Sequence, residues 1–313
     1  MTPLALESTR FTGHSTEKEH PTMWKIAKKS TLPQQLRLTA SGVREQLEAL
    51  PASKALVGLG TDGQPVCVDL DNESPHVLVC SAAGGGTSTA LRTLAAQLLH
   101  HGGHVLVLDT KRISQSWARA LPTVTYRRDV ADIHDALVGL RAEVKRRINH
   151  ADEHGDTDGL PRLTVVFEVA GHTLRQLARH WDKIRQAGDP KTSPAVDAYE
   201  ELLFAGREAR IHILAGAQSY SAAGREARIH ILAGAQSYSA ALGREQFSTV
   251  LLGRVTTRTW NQAAPQVATV PKARTHPGRF HTVQRSTAHP TQVLLMTNDE
   301  AAAWAASTKT EEG

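Results

Sequence analysis

Residues 77–99, VLVCSAAGGGTSTALRTLAAQLL, place an apolar run, a glycine cluster and a helical pattern in direct succession. A strand that ends in glycines and continues as a helix turns consecutive backbone N–H groups toward one point. The helix N-terminus adds partial positive charge at that point. The phosphate-binding pattern G-x-x-x-x-G-K-[ST] is met at Gly86 and Ser88, with Gly84 and Gly85 supplying the turn and Ser81 in the place of the first glycine. It fails at Thr87, where the pattern has lysine. Read alone, the cluster is equally a tight turn between a strand and a helix.

The alternation continues along the chain. Runs at 76–80, 104–111, 123–127, 162–170 and 247–255, together with RIHILAGAQ, are apolar and β-rich and read as strands, the last of them closing the series. Amphipathic patterns at 88–101, 129–154, 173–186 and 193–209 separate them. This predicts an α/β fold, a mostly parallel sheet covered by helices on both faces. Upstream, SGVREQLEAL (41–50) reads as a short helix, and ALVGLGTDGQPVCVDL as a hairpin turned at Asp62-Gly63. The expected organisation is a disordered tail over 1–22, a basic and helical lead-in over 23–53, a domain over 54–298, and a tail over 299–313.

One segment, AGREARIHILAGAQSYSA, occurs at 205–222 and again, identically, at 223–240. Two units do not make a solenoid. Identity at every position, exposed ones included, marks a recent duplication or an assembly error in the sequence. Each copy carries one strand pattern for one expected slot. The copy left out is expected as an extra edge strand or an extruded loop.

Composition narrows the function classes. The net charge of +5 and pI near 9.3 permit a polyanionic partner without requiring one. Aromatic residues at 4% argue against a binder built from base-stacking platforms. No apolar run approaches the roughly 18–20 residues of a membrane span. The N-terminus shows no basic-then-apolar signal pattern, and the two cysteines, Cys67 and Cys80, suit a reducing compartment. The expected location is cytoplasmic. HHGGH (100–104) and NHADEHGDTDG (149–159) lack a complete ligand spacing and are read as a helix end with its loop and as a solvated acidic loop.

Downstream of the glycine loop, the apolar run LTVVF ends in Glu168. Phosphate-loop enzymes place there the acid that holds Mg²⁺ through water. Alone, Glu168 also fits a strand-end carboxylate facing solvent. The next position often carries a glutamate that activates the attacking water; Val169 has no lone pair with which to do so.

Residues from roughly 54 to 285 resemble the FtsK/SpoIIIE-type DNA translocases, especially small actinobacterial forms related to plasmid-transfer proteins. The resemblance lies in the glycine loop, VLVLDTKR (105–112), AEVKRR (142–147) before the Glu168 strand, AGREARIHILAGAQ, GRVTTRTW (253–260) and HPGRF (276–280). It implies a RecA-like P-loop NTPase that binds ATP and Mg²⁺, forms a homo-oligomeric ring (a hexamer), and moves double-stranded DNA. It further implies that Ser81, Gly84, Gly85, Gly86, Thr87, Ser88 and Thr89 surround the nucleotide, and that Ser88 and Glu168 serve the metal. Glu168 would be the acid of the second motif, and Gln218 or Gln236 the γ-phosphate-sensing glutamine. Arg258 matches a family arginine. Thr87, Val169 and Gly171 depart from the family pattern. A unit charge about 4 Å from phosphate contributes roughly 4 kcal/mol at an effective dielectric near 20. Its loss costs on the order of 10²–10³ in affinity or rate. The expectation is therefore an ATP-binding translocase-type protein whose hydrolysis is weak or lost. The alternative is a non-catalytic DNA-binding or ring-subunit protein with a vestigial nucleotide site.

Overall fold

Six consecutive buried residues, His76–Ser81, form strand β4 of the computed structural model, and the sheet is arranged around them. The structure describes residues 32–61, 63–218, 244–271 and 276–308. β4 has parallel partners on both sides, β8 (Ile211–Gln218) and β9 (Thr249–Leu252). Beyond β8 the parallel half continues through β7 (Leu163–Phe167), β5 (His104–Leu108) and β6 (Val124–Arg127). Beyond β9 the sheet turns antiparallel, through β10 (Arg279–Gln284), β11 (Thr287–Leu295), β2 (Lys54–Gly60) and β3 (Pro65–Asp69). The two-residue strand β1 (Leu36–Arg37) lies parallel on β11.

The period-2 alternation of the strands divides the apolar residues between two cores. Val77 and Val79 of β4, with Val105 and Val107 of β5, face α1 (Val43–Ala49), α2 (Thr87–His100) and α7 (Asn298–Ala306). Leu78 and Cys80, with Leu106 and Leu108, face the other layer. That layer holds α3 (Val130–His154), α4 (Ala170–Ile184), α5 (Pro194–Ala205) and α6 (Thr257–Ala263). In α3 the buried Ile133, Leu137, Leu140 and Val144 recur at the helical spacing that lays one stripe on the sheet. Buried Gln97 pins α2 to β2: its Oε1 accepts from Leu56 N at 2.7 Å, and its Nε2 donates to Leu56 O at 3.0 Å. Helix α7 carries a full capping box between Thr297 and Glu300 and buries Ala301, Trp304 and Ala305. Trp304 packs on the His100 ring of α2, with centroids 4.4 Å apart.

The α/β reading of the chain holds, and the sheet is mostly parallel, but it does not close at β9. The β10–β11 hairpin and its pairing onto β2 extend it by four antiparallel pairings. The polar content of RFHTVQ and TAHPTQVLL hides these strands from a hydrophobic pattern: β11 includes His289, Pro290, Thr291 and Gln292. Their turn is Arg285-Ser286, with Arg285 at φ 54°, in place of the glycine or asparagine that marks such turns. The expected strand over 162–170 stops at Phe167, because Val169 is already the N-cap of α4. The β2–β3 hairpin forms as expected, with Gly63 at φ 76°; Asp62 lies outside the described residues.

The first copy of the duplicated segment supplies β8, hydrogen-bonded to β4 on one side and β7 on the other. The expectation for the second copy, residues 223–240, lies outside the described residues. Among the described residues no helix is long and apolar enough to cross a membrane.

Since the slot is filled by the first copy, deleting 223–240 leaves β8 and its partners unchanged in sequence. The deletion variant is expected to fold with an unaltered thermal midpoint, and scanning calorimetry of both forms checks this.

Two buried histidines give the fold an acid limit. His212 Nδ1 lies 3.1 Å from the Pro75 carbonyl, which can only accept, and Nε2 lies 2.8 Å from the Arg162 guanidinium, which can only donate. Burial, then Arg162 and His76, push His212 down to about 3, against the weaker pull of the Pro75 bond and Asp71. His76 accepts from Ile213 N and faces the Leu203 carbonyl, and burial lowers it to about 4. Both rings stay neutral when folded, whereas the unfolded chain takes up protons below about pH 6.5. Stability is therefore full above that pH and declines as pH falls through it toward the folded values. Urea unfolding at pH 7.5 and 5.0 is expected to show a loss on the order of 2 kcal/mol per histidine.

Candidate nucleotide site

The strands of the parallel half end along one edge, and four segments meet there. β4 runs into the glycine loop, β5 into the turn 109–115, β7 into Glu168, and β9 into Gly253-Arg254. β4 lies between the parallel strands β8 and β9, and the loop follows its C-terminal end, the edge at which open α/β sheets bind ligands.

The loop is shaped by close contacts. Gly86 is the N-cap of α2 at φ 103°, a left-handed conformation that a side chain would strain. Gly85 lies so close to Ser81 that an added Cβ would stand 1.8 Å from its hydroxyl oxygen. Ser81 Oγ is fully buried and makes no hydrogen bond among the described residues. On the far side Arg254 holds the loop, accepting from Ala82 N at 2.8 Å through its carbonyl and donating to Ala83 O at 2.9 Å through its guanidinium.

Glu168 is 2% exposed, so it is not a solvent-facing strand end. A carboxylate this buried needs partners. Ser88 donates to one of its oxygens, and Gln115 Nε2 donates to the other at 2.7 Å. Lys111 Nζ stands 3.5 Å from the same oxygen that Ser88 reaches. Gln115 also donates to Ser88 O at 3.1 Å, while its Oε1 accepts from Trp117 Nε1 at 2.8 Å.

The turn that delivers Lys111 and Gln115 is organised by Asp109, which is fully buried. Its carboxylate accepts from Lys111 N and Gln115 N, both at 3.1 Å, and from the Tyr126 hydroxyl at 2.6 Å. Arg112 takes φ 69° within this turn.

A cavity of about 340 Å³ results, lined by Ser81, the loop from Ala82 to Thr89, Lys111 and Glu168. Every loop residue named from sequence borders it, and Ser88 and Glu168 are brought into contact. Gln218 is placed by its backbone, which pairs with Ser81 in the β4–β8 register. Gln236 lies outside the described residues. Arg258 is exposed on α6 and does not line the cavity. Val169 caps α4 and contributes only backbone. Asp109, Lys111 and Gln115 carry no role in the sequence reading. No local signal marks them, because nothing in DTKRISQ tells that its aspartate is buried and folds the turn back on itself.

Residues 44–180 match the model of the FtsK/SpoIIIE family. Over that span the chain is similar to the FtsK/SpoIIIE family. Solved structures similar to it include the pCW3 conjugation coupling protein TcpA in a monomer form with ATPγS. That likeness has TM-score 0.63 and 18% identity, and covers 86% of this chain and 72% of that one. EssC (ATPases 2 and 3) from Geobacillus thermodenitrificans follows at TM-score 0.61 and 15% identity, covering 88% of this chain and 51% of that one. The cytoplasmic domain of the Type VII secretion ATPase EccC from Thermomonospora curvata gives TM-score 0.57 and 16% identity over 85% of this chain. The chain thus spans about half of that EssC chain and 28% of the EccC domain. At these identities the likeness is one of fold, the RecA-like P-loop NTPase fold. No curated protein matches this sequence.

The contact between Gly85 and Ser81 supplies a direct test of the loop. Gly85→Ala is expected to lower the thermal midpoint by several degrees, and adding Ser81→Gly is expected to recover part of the loss. Melting curves of the single and double variants check both.

Proposed function

We propose that this chain is an ATP-binding, FtsK/SpoIIIE-like translocase-type protein that acts on double-stranded DNA, with hydrolysis weak or lost. The observation that carries this reading is the Ser88–Glu168 pair at the base of a glycine loop that opens a 14-residue helix. The loop and helix direct backbone N–H groups and the positive end of a helix dipole into the cavity. The volume of about 340 Å³ suits a polyphosphate and part of a nucleoside.

The residues present also fit Mg²⁺. Ser88 and Glu168 offer a hydroxyl and a carboxylate oxygen side by side, the hard donors this ion takes while keeping water. When bound, the ion would neutralise phosphate charge. Ser88 would hold it, Glu168 would orient it, and Gln115 would keep Glu168 in place. What the chain does not offer is a base after Glu168: Val169 cannot take a proton from water, and this is the reason for assigning weak or absent turnover.

The net charge of +5 supports a polyanionic partner. A similar fold was captured with ATPγS, in a conjugation coupling protein. The family resemblance supports a homo-oligomeric ring, a hexamer, acting in the cytoplasm. A second reading is favoured by Thr87 and Val169 together: a DNA-binding or ring subunit whose nucleotide site is vestigial. The two separate on whether ATP alters assembly or DNA affinity.

Calorimetric titration with ATP is expected to show Mg²⁺-dependent binding, with hydrolysis near background with or without duplex DNA. The Thr87→Lys/Val169→Glu variant is expected to gain DNA-stimulated turnover of at least tenfold. Binding absent in both proteins would favour the vestigial site, and turnover at rates of 1 s⁻¹ or more by the wild type would overturn the loss of catalysis.

A further inference from the structure

We propose that Lys111, delivered by the turn after β5, is the cation that the glycine loop lacks at Thr87, and that it binds the phosphates of the nucleotide. The inference rests on the nucleotide reading above and adds to it the residue that compensates its main defect.

Three observations lead to it. The lining of the loop cavity is serine, alanine, glycine and threonine apart from two charged side chains, Glu168 and Lys111. Lys111 is therefore the cation of that lining. Its ammonium already lies within the cavity's polar centre, 3.5 Å from the carboxylate that Ser88 also contacts. Its side chain keeps 38% exposure, so it has room to move. A lysine stem of four carbons with three rotatable donors can leave a carboxylate for a phosphate a few ångströms away.

The second observation is how firmly the turn is held. Asp109 gathers Lys111 N, Gln115 N and the Tyr126 hydroxyl, and Gln115 then bridges Ser88 O and Glu168. The base of Lys111 is thereby latched to both the loop helix and the acid, while its end is free to swing. A loop lysine would instead be fixed by the helix itself.

The third is the occupation of the neighbouring cations. Arg254 spends its guanidinium on the Ala83 carbonyl at 2.9 Å, outside the cavity lining. Arg92 binds Met296 O at 2.9 Å and Asn298 Oδ1 at 2.7 Å, tying α2 to the start of α7. Lys111 has no comparable obligation to backbone through its ammonium in the described structure. Its field also reaches His172 on α4: burial, then Arg175, Arg179 and Lys111, hold that ring below the usual histidine range.

The competing role for Lys111 is a plain ion pair that neutralises Glu168. The two roles predict opposite signs. A cation directed at phosphate strengthens nucleotide binding, so its removal weakens it. A cation that only neutralises the acid competes with Mg²⁺, so its removal frees the carboxylate and leaves nucleotide binding equal or tighter.

The test is titration of the full chain with a fluorescent methylanthraniloyl ATP analogue and Mg²⁺, comparing wild type, Lys111→Met, and Lys111→Met/Thr87→Lys. Lys111→Met keeps the stem and the backbone bond to Asp109 and removes the charge. Binding is expected to weaken on the order of ten- to a hundredfold, less than for a fully buried charge because Lys111 is partly exposed. The added loop lysine is expected to restore it. Unchanged or tighter binding in Lys111→Met overturns the proposal while leaving the nucleotide reading intact. Weakened binding that Thr87→Lys does not restore, with circular dichroism showing a disturbed fold, also overturns it, since the loss is then structural. A wild type that binds no analogue overturns the nucleotide reading and this inference together.

Discussion

A carboxylate shut away from water at the end of a central strand is the constraint on which the site depends. Burying an isolated charge is far more costly than any single contact recovers, so such a group persists only when its oxygens are filled. Glu168 has Ser88 on one oxygen and Gln115 on the other, with Lys111 at 3.5 Å. Those three partners come from two different crossovers, α2 and the turn after β5. Satisfying one charge therefore joins the glycine loop to the neighbouring strand end.

The sheet makes that meeting possible. β4, β7 and β5 are parallel, so their C-terminal ends open on the same edge, and β8 lies between β4 and β7 to set the spacing. Small residues let the strands and loop approach. Gly216 of β8 would bring an added Cβ to 2.2 Å from Glu168 O, and Gly253 would bring one to 2.5 Å from Ser81 Oγ. The antiparallel extension from β9 through β3 widens the sheet beyond β4, and α7 docks on α2 and on the turn at 116–118. The same architecture explains where the protein resists protonation, since His76 and His212 sit at the opposite, N-terminal ends of β4 and β8.

Much of this was legible in the chain. The loop, the helix behind it, and the strands β4, β5, β7 and β8 all announce themselves through apolar runs and glycines, because each is buried on both faces and has little freedom in composition. β10 and β11 were not legible, since threonines, glutamines and histidines fill them and Pro290 interrupts the pattern. Some of their polar groups pair across the sheet instead, as in the Thr282–Thr291 hydroxyl pair at 2.8 Å. At the site, Ser88 and Glu168 could be named together from the phosphate-loop pattern and the family resemblance. Asp109 and Gln115 could not, because nothing local in DTKRISQ tells that its aspartate turns inward and its glutamine reaches a residue 53 positions away.

The sequence by itself determined the fold class, the phosphate-loop geometry and the two missing groups at Thr87 and Val169, because these follow from local residue type and spacing. Tertiary structure decided which copy of the duplicated segment forms β8, since a strand position is awarded by hydrogen-bonding partners on both sides and identical sequences do not differ in propensity. It also decided that Glu168 is buried and that a lysine from another strand end enters the cavity. Charge placement of that kind depends on which loops the sheet order brings together, and sheet order is set by long-range pairing that no short stretch of chain encodes.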